Sequence, residues 1–137
     1  MTTNSKELIL KFYQNLGKLF YAIAKADNRV HAIELNKLKE LVKTHWLTLN
    51  PAEAVYSKDA AYQMEIMFSW LNTQETVDAK TCFDDFVNYK NNEKHLFTTH
   101  VKHLILKTAR MIATSFSGIN KSELIMLAKL NMELKNI

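Results

Sequence analysis

Three histidines in the rear half of the chain, His95, His100 and His103, form its densest group of potential metal ligands. His100 and His103 stand three apart, so a helix places both imidazoles on one face, where neutral rings can share a transition metal. The sequence has no Glu-x-x-His pair of the kind that builds a di-iron bundle site, and no His-Glu-x-x-His helix. The three rings therefore read as solvated or core-edge histidines, and a metalloenzyme on His100 and His103 is the weakest of three functional readings. The stretch Asp27 to Glu34 invites a calcium reading and fails it. With Val30 at loop position 8 and Glu34 at position 12, Ile23 and Lys25 fall at positions 1 and 3, where oxygen ligands are required. The second half of the chain fails in the same way at Ile112.

Cys82 is the sole cysteine, which excludes an internal disulfide and a cysteine-based zinc site. It stands four residues before Phe86, on what reads as a core face, and Asp84 and Asp85 would oppose its thiolate through like charge. It reads as a buried, inert thiol. Asp78, Asp84 and Asp85 read as a solvated helix face. Gly-x-Ser-x-Gly, Gly-x-Gly-x-x-Gly and the P-loop pattern are all missing, and with only Gly17 and Gly118 a backbone phosphate cradle is hard to build. These residues nominate no catalytic group and no cofactor, so the expectation is a chain that is not an enzyme.

Lys6, Lys11, Lys18 and Lys25, with Lys37, Lys39 and Lys43 beyond them, could form the basic footprint that nucleic acid requires. Arginine, the better residue for base edges and stacking, occurs only at Arg29 and Arg110. A small basic nucleic-acid-associated protein using these lysine faces is the alternative reading. Charge alternates along the chain: residues 1–50 carry net +4, 51–90 net −4 and 91–137 net +4. An acidic middle between basic ends can be self-complementary within one fold.

The elements that must position these residues are helices. The chain has 137 residues, 47% of them hydrophobic and 23% charged, with two glycines and one proline. That length is one domain's worth, and sheet proteins spend far more glycine and proline on their turns. The opening residues lack the basic and apolar segments of a secretion signal. The longest apolar run, Leu19 to Ala24, is much too short to cross a bilayer. The expected location is cytoplasmic, without membrane insertion.

Six helices follow from apolar spacing and caps. The first starts after Asn4 or Ser5, carries Leu8, Phe12, Leu16, Leu19, Phe20 and Ile23 on one face, and ends near Ala26. The second is capped at His31 with Glu34 at its third position, and continues through Leu35, Leu38, Val42 and either His45 or Trp46. The third opens at Asn50-Pro51, with Glu53 at its third position, and buries Tyr56, Ala60, Met64, Met67, Phe68 and Leu71 before a break at Asn72-Thr73. The fourth runs from about Val77 to Asn91 and buries Cys82, Phe83, Phe86 and Val87. The fifth begins at Thr98 or Thr99 and carries Val101, Leu104, Ile105, Thr108, Met111 and Ile112. The last follows Asn120, with Leu124, Leu127, Leu130 and Leu134 as its stripe.

A shift of 89 residues aligns the two ends of the chain. Leu16 falls on Ile105, Ile23 on Ile112, Ala24 on Ala113, Val30 on Ile119, Glu34 on Glu123, Leu35 on Leu124, Leu38 on Leu127 and Leu41 on Leu130. Each half reads as a long helix, a polar turn, a β-branched residue, a capped start with Glu at the third position, and a leucine stripe. The expected fold is an all-α, single-domain bundle over 1–137. Two pseudo-symmetric hairpins, about 5–48 and 98–135, are closed by central helices at about 50–91.

The segment Ile23-Ala-Lys-Ala-Asp-Asn-Arg-Val30, followed by Glu34 and the leucine stripe, resembles the hairpin of TerB-like proteins, bacterial tellurite-resistance accessory proteins. Related modules stand at the front of some membrane-anchored J-domain co-chaperones. The chain has no His-Pro-Asp tripeptide, so it is not itself a J domain. Two positions depart from the family pattern: Asn28 stands where the turn glycine is usual, and Phe116 stands at the aspartate position of the second turn. The resemblance implies a two-hairpin helical fold and a binding or adaptor role, stress-related, with a protein partner of unknown identity. It also implies a divalent-metal site on acidic residues near the turns, which here would be Asp27, Glu34 and Glu123. Read from the residues alone, Asp27 ends a helix turn, and Glu34 and Glu123 serve caps.

Overall fold

A computed structural model describes residues 2–47, 60–74, 76–116 and 118–135, with side chains from residue 7 onward. Six α-helices are present among them: α1 (Thr2–Lys25), α2 (Ala32–Leu41), α3 (Gln63–Asn72), α4 (Ala79–Asn92), α5 (Thr99–Thr114) and α6 (Lys121–Lys135). A π-helical turn, Val42–Trp46, extends α2, and a single 3₁₀ turn, Lys94–Leu96, joins α4 to α5. No strand occurs among the described residues. The fold is the expected all-α bundle. The Asn50-Pro51 helix start, with Glu53 and Tyr56, lies outside the described residues. No helix in the described part is long and apolar enough to cross a membrane.

α1 is the axis of the bundle and packs on α3, α4 and α5. Its Leu16, Leu19, Phe20 and Ile23 are fully buried, as the spacing predicts. α2 lies on α5 and α3, while α6 lies on α5 and α1, so the second helix of each hairpin reaches the long helix of the other. Matched positions behave alike in the interior. Leu16 and Ile105, Ile23 and Ile112, Ala24 and Ala113, and Leu41 and Leu130 are all at most 2% exposed.

The structure corrects two local expectations and refines two others. α1 begins at Thr2, earlier than Asn4 or Ser5 suggests. Asp78 is exposed, as a solvated residue should be, but it also has a structural role. It caps α4, and its carboxylate accepts from Thr81 N at 2.7 Å, which satisfies one of the four open N–H groups at a helix start. At the end of α2, Trp46 and not His45 takes the core position. In an α-helix Trp46 would sit about 80° around from Leu38. The wider turn closed by Leu47 N–H on Val42 C=O, at 2.9 Å, swings the indole inward. Its Nε1 donates to the buried Thr108 Oγ1 on α5 at 3.0 Å. Finally, Leu124 does not continue the stripe of α6. It is 59% exposed, while Leu130 and Leu134 are buried and Met126 and Leu127 pack at the edge of the core.

Two features of the interior carry no periodic signal. Phe97, just after the 3₁₀ turn, is buried edge-to-face against Phe12 and Phe86, with centroids 5.6 and 5.8 Å away. Lys90 of α4 is 1% exposed and donates to Glu133 of α6, at 2.8 Å to Oε1 and 3.1 Å to the backbone carbonyl. A buried ammonium costs several kcal/mol unless paired, so this bond fixes where α6 lies against α4.

Gly17 sets the distance between α1 and α3. A Cβ there would lie 2.7 Å from the Met64 carbonyl oxygen and 2.8 Å from Met67 Cβ. Gly17→Ala gains about 0.5–1 kcal/mol of helix preference. It must also push backbone apart in a packed core, at about 1–3 kcal/mol. The expected outcome is a net loss of about 1 kcal/mol and a fall of about 4 °C in Tm. Urea and thermal unfolding measure both, and an unchanged or raised Tm would show that the helices can separate freely.

Candidate functional site

The α1–α2 turn and the α5–α6 turn are polar in sequence and adjacent in space. Asp27 Oδ1 accepts from Arg29 N–H at 3.1 Å, an Asx turn that lets Asn28 adopt the left-handed backbone, φ +68°. Asparagine tolerates that conformation better than most residues, which explains how it replaces the usual turn glycine. Gly118, at φ +89°, serves the second turn. The turns are tied side by side. Asn120 Oδ1 accepts from Glu123 N–H at 2.9 Å, capping α6, while its Nδ2 donates to Asp27 Oδ2 at 2.9 Å. One amide thus caps its own helix and holds the other hairpin. The rings of His31 and Phe116 stack across the junction, with centroids 3.6 Å apart and planes 15° from parallel.

Both third-position glutamates turn back toward their helix starts. Glu34 Oε1 accepts from His31 N–H at 2.6 Å, and Glu123 Oε1 accepts from Asn120 N–H at 3.1 Å, the reciprocal half of a capping box in each case. Both side chains are buried, Glu34 at 1% and Glu123 at 3% exposure. Burial pushes the Glu34 carboxyl up to about 7, and the charges of Glu123 and Asp27 add to that against the His31 N–H bond. Burial also raises Glu123, opposed by its Asn120 N–H bond. The two carboxyls hydrogen-bond to each other. The Glu123 charge adds to the rise at Glu34 because two like charges in one dry space repel.

Asp27, Glu34 and Glu123 thus line one pocket of about 140 Å³, with His31, Phe116, Ile119 and Asn120. The structure brings together all three residues that the family resemblance nominates for metal. Their oxygens are differently engaged, however. Both Asp27 oxygens accept hydrogen bonds, and each glutamate spends one oxygen on a cap. Among the described residues, no group of three or more His, Cys, Asp or Glu side chains is arranged to hold a metal ion. The arrangement is a capped, hydrogen-bonded junction of the two turns.

The other candidates separate. His95 stands apart, with Nε2 at 3.7 Å from Glu93 Oε2. His100 and His103 line a different pocket of about 310 Å³ with Leu104 and Lys107, and His45 and Thr44 join them from the π-helical turn. His45 was hidden by its distance in sequence. Cys82 is buried, and burial followed by the Asp85 charge pushes its thiol up to about 11, which leaves it a poor nucleophile. The lysine faces are partly neutralised: Lys18 pairs with Asp85 at 3.4 Å and Lys37 with Glu40 at 2.8 Å, and Lys39 and Lys43 act on Glu65.

The raised Glu34 carboxyl makes stability depend on pH. An unfolded glutamate releases its proton near 4.5, whereas folded Glu34 holds it to about 7. Between those values the folded state binds more protons, so this contribution is full below about 4.5 and is lost as pH rises to about 7. Glu34→Gln keeps a neutral donor toward Glu123 and an oxygen for His31 N–H. It is expected to flatten the fall in stability between pH 5 and 8 and to unfold at higher urea than the parent at pH 8. An unchanged pH slope in Glu34→Gln would remove the proton from Glu34.

No protein-family model, curated protein or solved structure matches this chain.

Proposed function

We propose that the chain is a non-enzymatic binding or adaptor module of TerB-like type, and that the end where its two turns meet receives a protein partner. The observation that carries this reading is the apolar surface around the junction. Phe116 and Ile119 line the pocket at 46% and 38% exposure, and Ile33, two residues beyond His31, is 45% exposed. In the first hairpin the position matching Ile119 is Val30, which packs against the core. The second turn therefore offers to solvent what the first turn buries. Exposed aromatic and β-branched residues around a recessed polar centre are the composition of an interaction surface.

The carboxyls beneath that surface support a binding role over a reactive one, since each is committed to a cap or to the neighbouring turn. The metal-binding version of the TerB-like reading finds no support in this donor set. The nucleic-acid alternative is weakened by the ion pairs that occupy Lys18 and Lys37. A stress-related role rests on the resemblance alone.

The test is retention of a protein from cell extract on the immobilised chain, on Phe116→Ser/Ile119→Ser, and on Ile66→Ser, whose exposed position on α3 lies away from the junction. The expected result is a protein retained by the parent and by Ile66→Ser. With that protein purified, its Kd should rise about tenfold or more, about 1.4 kcal/mol, for the double variant. Retention that is identical on all three surfaces would refute the proposal.

A further inference from the structure

The outward side of α6 carries apolar surface that the fold does not use. Leu124, Ile125 and Met132 are 59%, 48% and 65% exposed, and Ala128 between them is exposed too. The 89-residue register supplies an internal reference. Ile125, Ala128 and Met132 match Asn36 and Lys39 of α2 and Lys43 of the π-helical turn that extends it, all exposed and polar. The same helix position in the same kind of hairpin is therefore solvated by polar residues once and left apolar once, so the bundle itself does not require apolar groups there.

Charge on this side has one sign. Lys121, Lys129 and Lys135 are exposed around the apolar residues. The two carboxylates of α6 point elsewhere, Glu123 into the twin-turn pocket and Glu133 onto Lys90. Beyond Met132 and Lys129 the surface falls into a groove of about 390 Å³ between α4 and α6, containing Phe83, Val87 and Met126. The groove carboxylates are both paired, Asp84 with Lys80 and Glu133 with Lys90, each at 2.8 Å. Phe83 is 6% exposed and recessed, so an inserted side chain can reach it and a flat bilayer cannot. A second copy laid on the same face would set lysines against lysines, which is repulsive.

We propose that the outward face of α6 and the α4–α6 groove dock an acidic amphipathic helix of a partner protein. From Leu124 to Met132 the face runs about 12 Å, room for the two helical turns whose anchors fall at i, i+3, i+4 and i+7. The groove takes the anchors and the lysines meet the acidic flanks. This surface is independent of the twin-turn reading, because Ile125, Lys129 and Met132 do not line that pocket.

The probe is a fluorescein-labelled peptide of about 18 residues, long enough to form a helix on binding, with leucines at i, i+3, i+4 and i+7 and glutamate at most other positions. Anisotropy titration against the full chain is expected to saturate with a Kd below about 100 µM. Ile125→Ser/Met132→Ser and Lys129→Glu each raise the Kd about tenfold or more, and so does replacing the peptide's glutamates by lysine. Lys39→Glu on α2 and Phe116→Ser/Ile119→Ser leave it unchanged. All these positions are exposed, and matched Tm values confirm folding. Absence of saturation, or equal Kd values for parent and α6 variants, overturns the proposal. So does a dimer in analytical ultracentrifugation that the α6 variants abolish, which would make the occupant a second copy. So also does preferential binding to phosphatidylserine vesicles lost in the same variants, which would make it a membrane.

Discussion

Two glutamates buried side by side repel when both are charged, and that constraint organises the junction of the hairpins. Each carboxyl must satisfy its own helix start, which fixes its position along the axis. Each must also face the other, which fixes how the two helices approach. A proton on Glu34 lets both demands be met at once. Asn120 then extends the coupling outward, because the amide that caps α6 also grips Asp27 of the opposite turn. Caps are ordinarily local devices. Here they are shared between elements 89 residues apart, so the ends of four helices stand or fall together.

The interior obeys a second constraint, close approach without voids. Gly17 lets α3 ride directly on the backbone of α1. The π-helical turn does comparable work at the far end of α2, where one widened turn brings Trp46 inward onto Thr108. The groove between α4 and α6 lies beside the Lys90–Glu133 pair, which holds those two helices in fixed relation and keeps the cleft open beside it.

Much of this was legible in the residues. The apolar stripes of α1, α4 and α5, the caps at Thr98 and Asn120, the break after Asn72 and the glutamate at the third position of each hairpin follow from spacing and local hydrogen-bond chemistry. The 89-residue register by itself pairs Glu34 with Glu123. What spacing could not give was their mutual hydrogen bond, since periodicity reports which face a residue occupies and not what it meets there. Phe116 read as a lost carboxylate, whereas in space it is a ring laid over His31. Nothing local marks Lys90, a buried charge whose partner is 43 residues away. Leu124 misled through its own regularity. It keeps leucine spacing at a point where α6 has already turned that side to solvent.

The central place of α1 has a consequence for the order in which the chain is made. Leu16, Leu19, Phe20 and Ile23 leave the ribosome early, yet part of what covers them belongs to α5, near Ile105 and Ile112. At typical synthesis rates, roughly 90 residues take about 5 to 20 s to appear. Until α5 is made, the buried face of α1 lacks one of the helices that cover it. Completion of the native interior therefore waits on synthesis of α5, and a nascent chain stalled before it presents the open face of α1 to whatever chaperone is at hand.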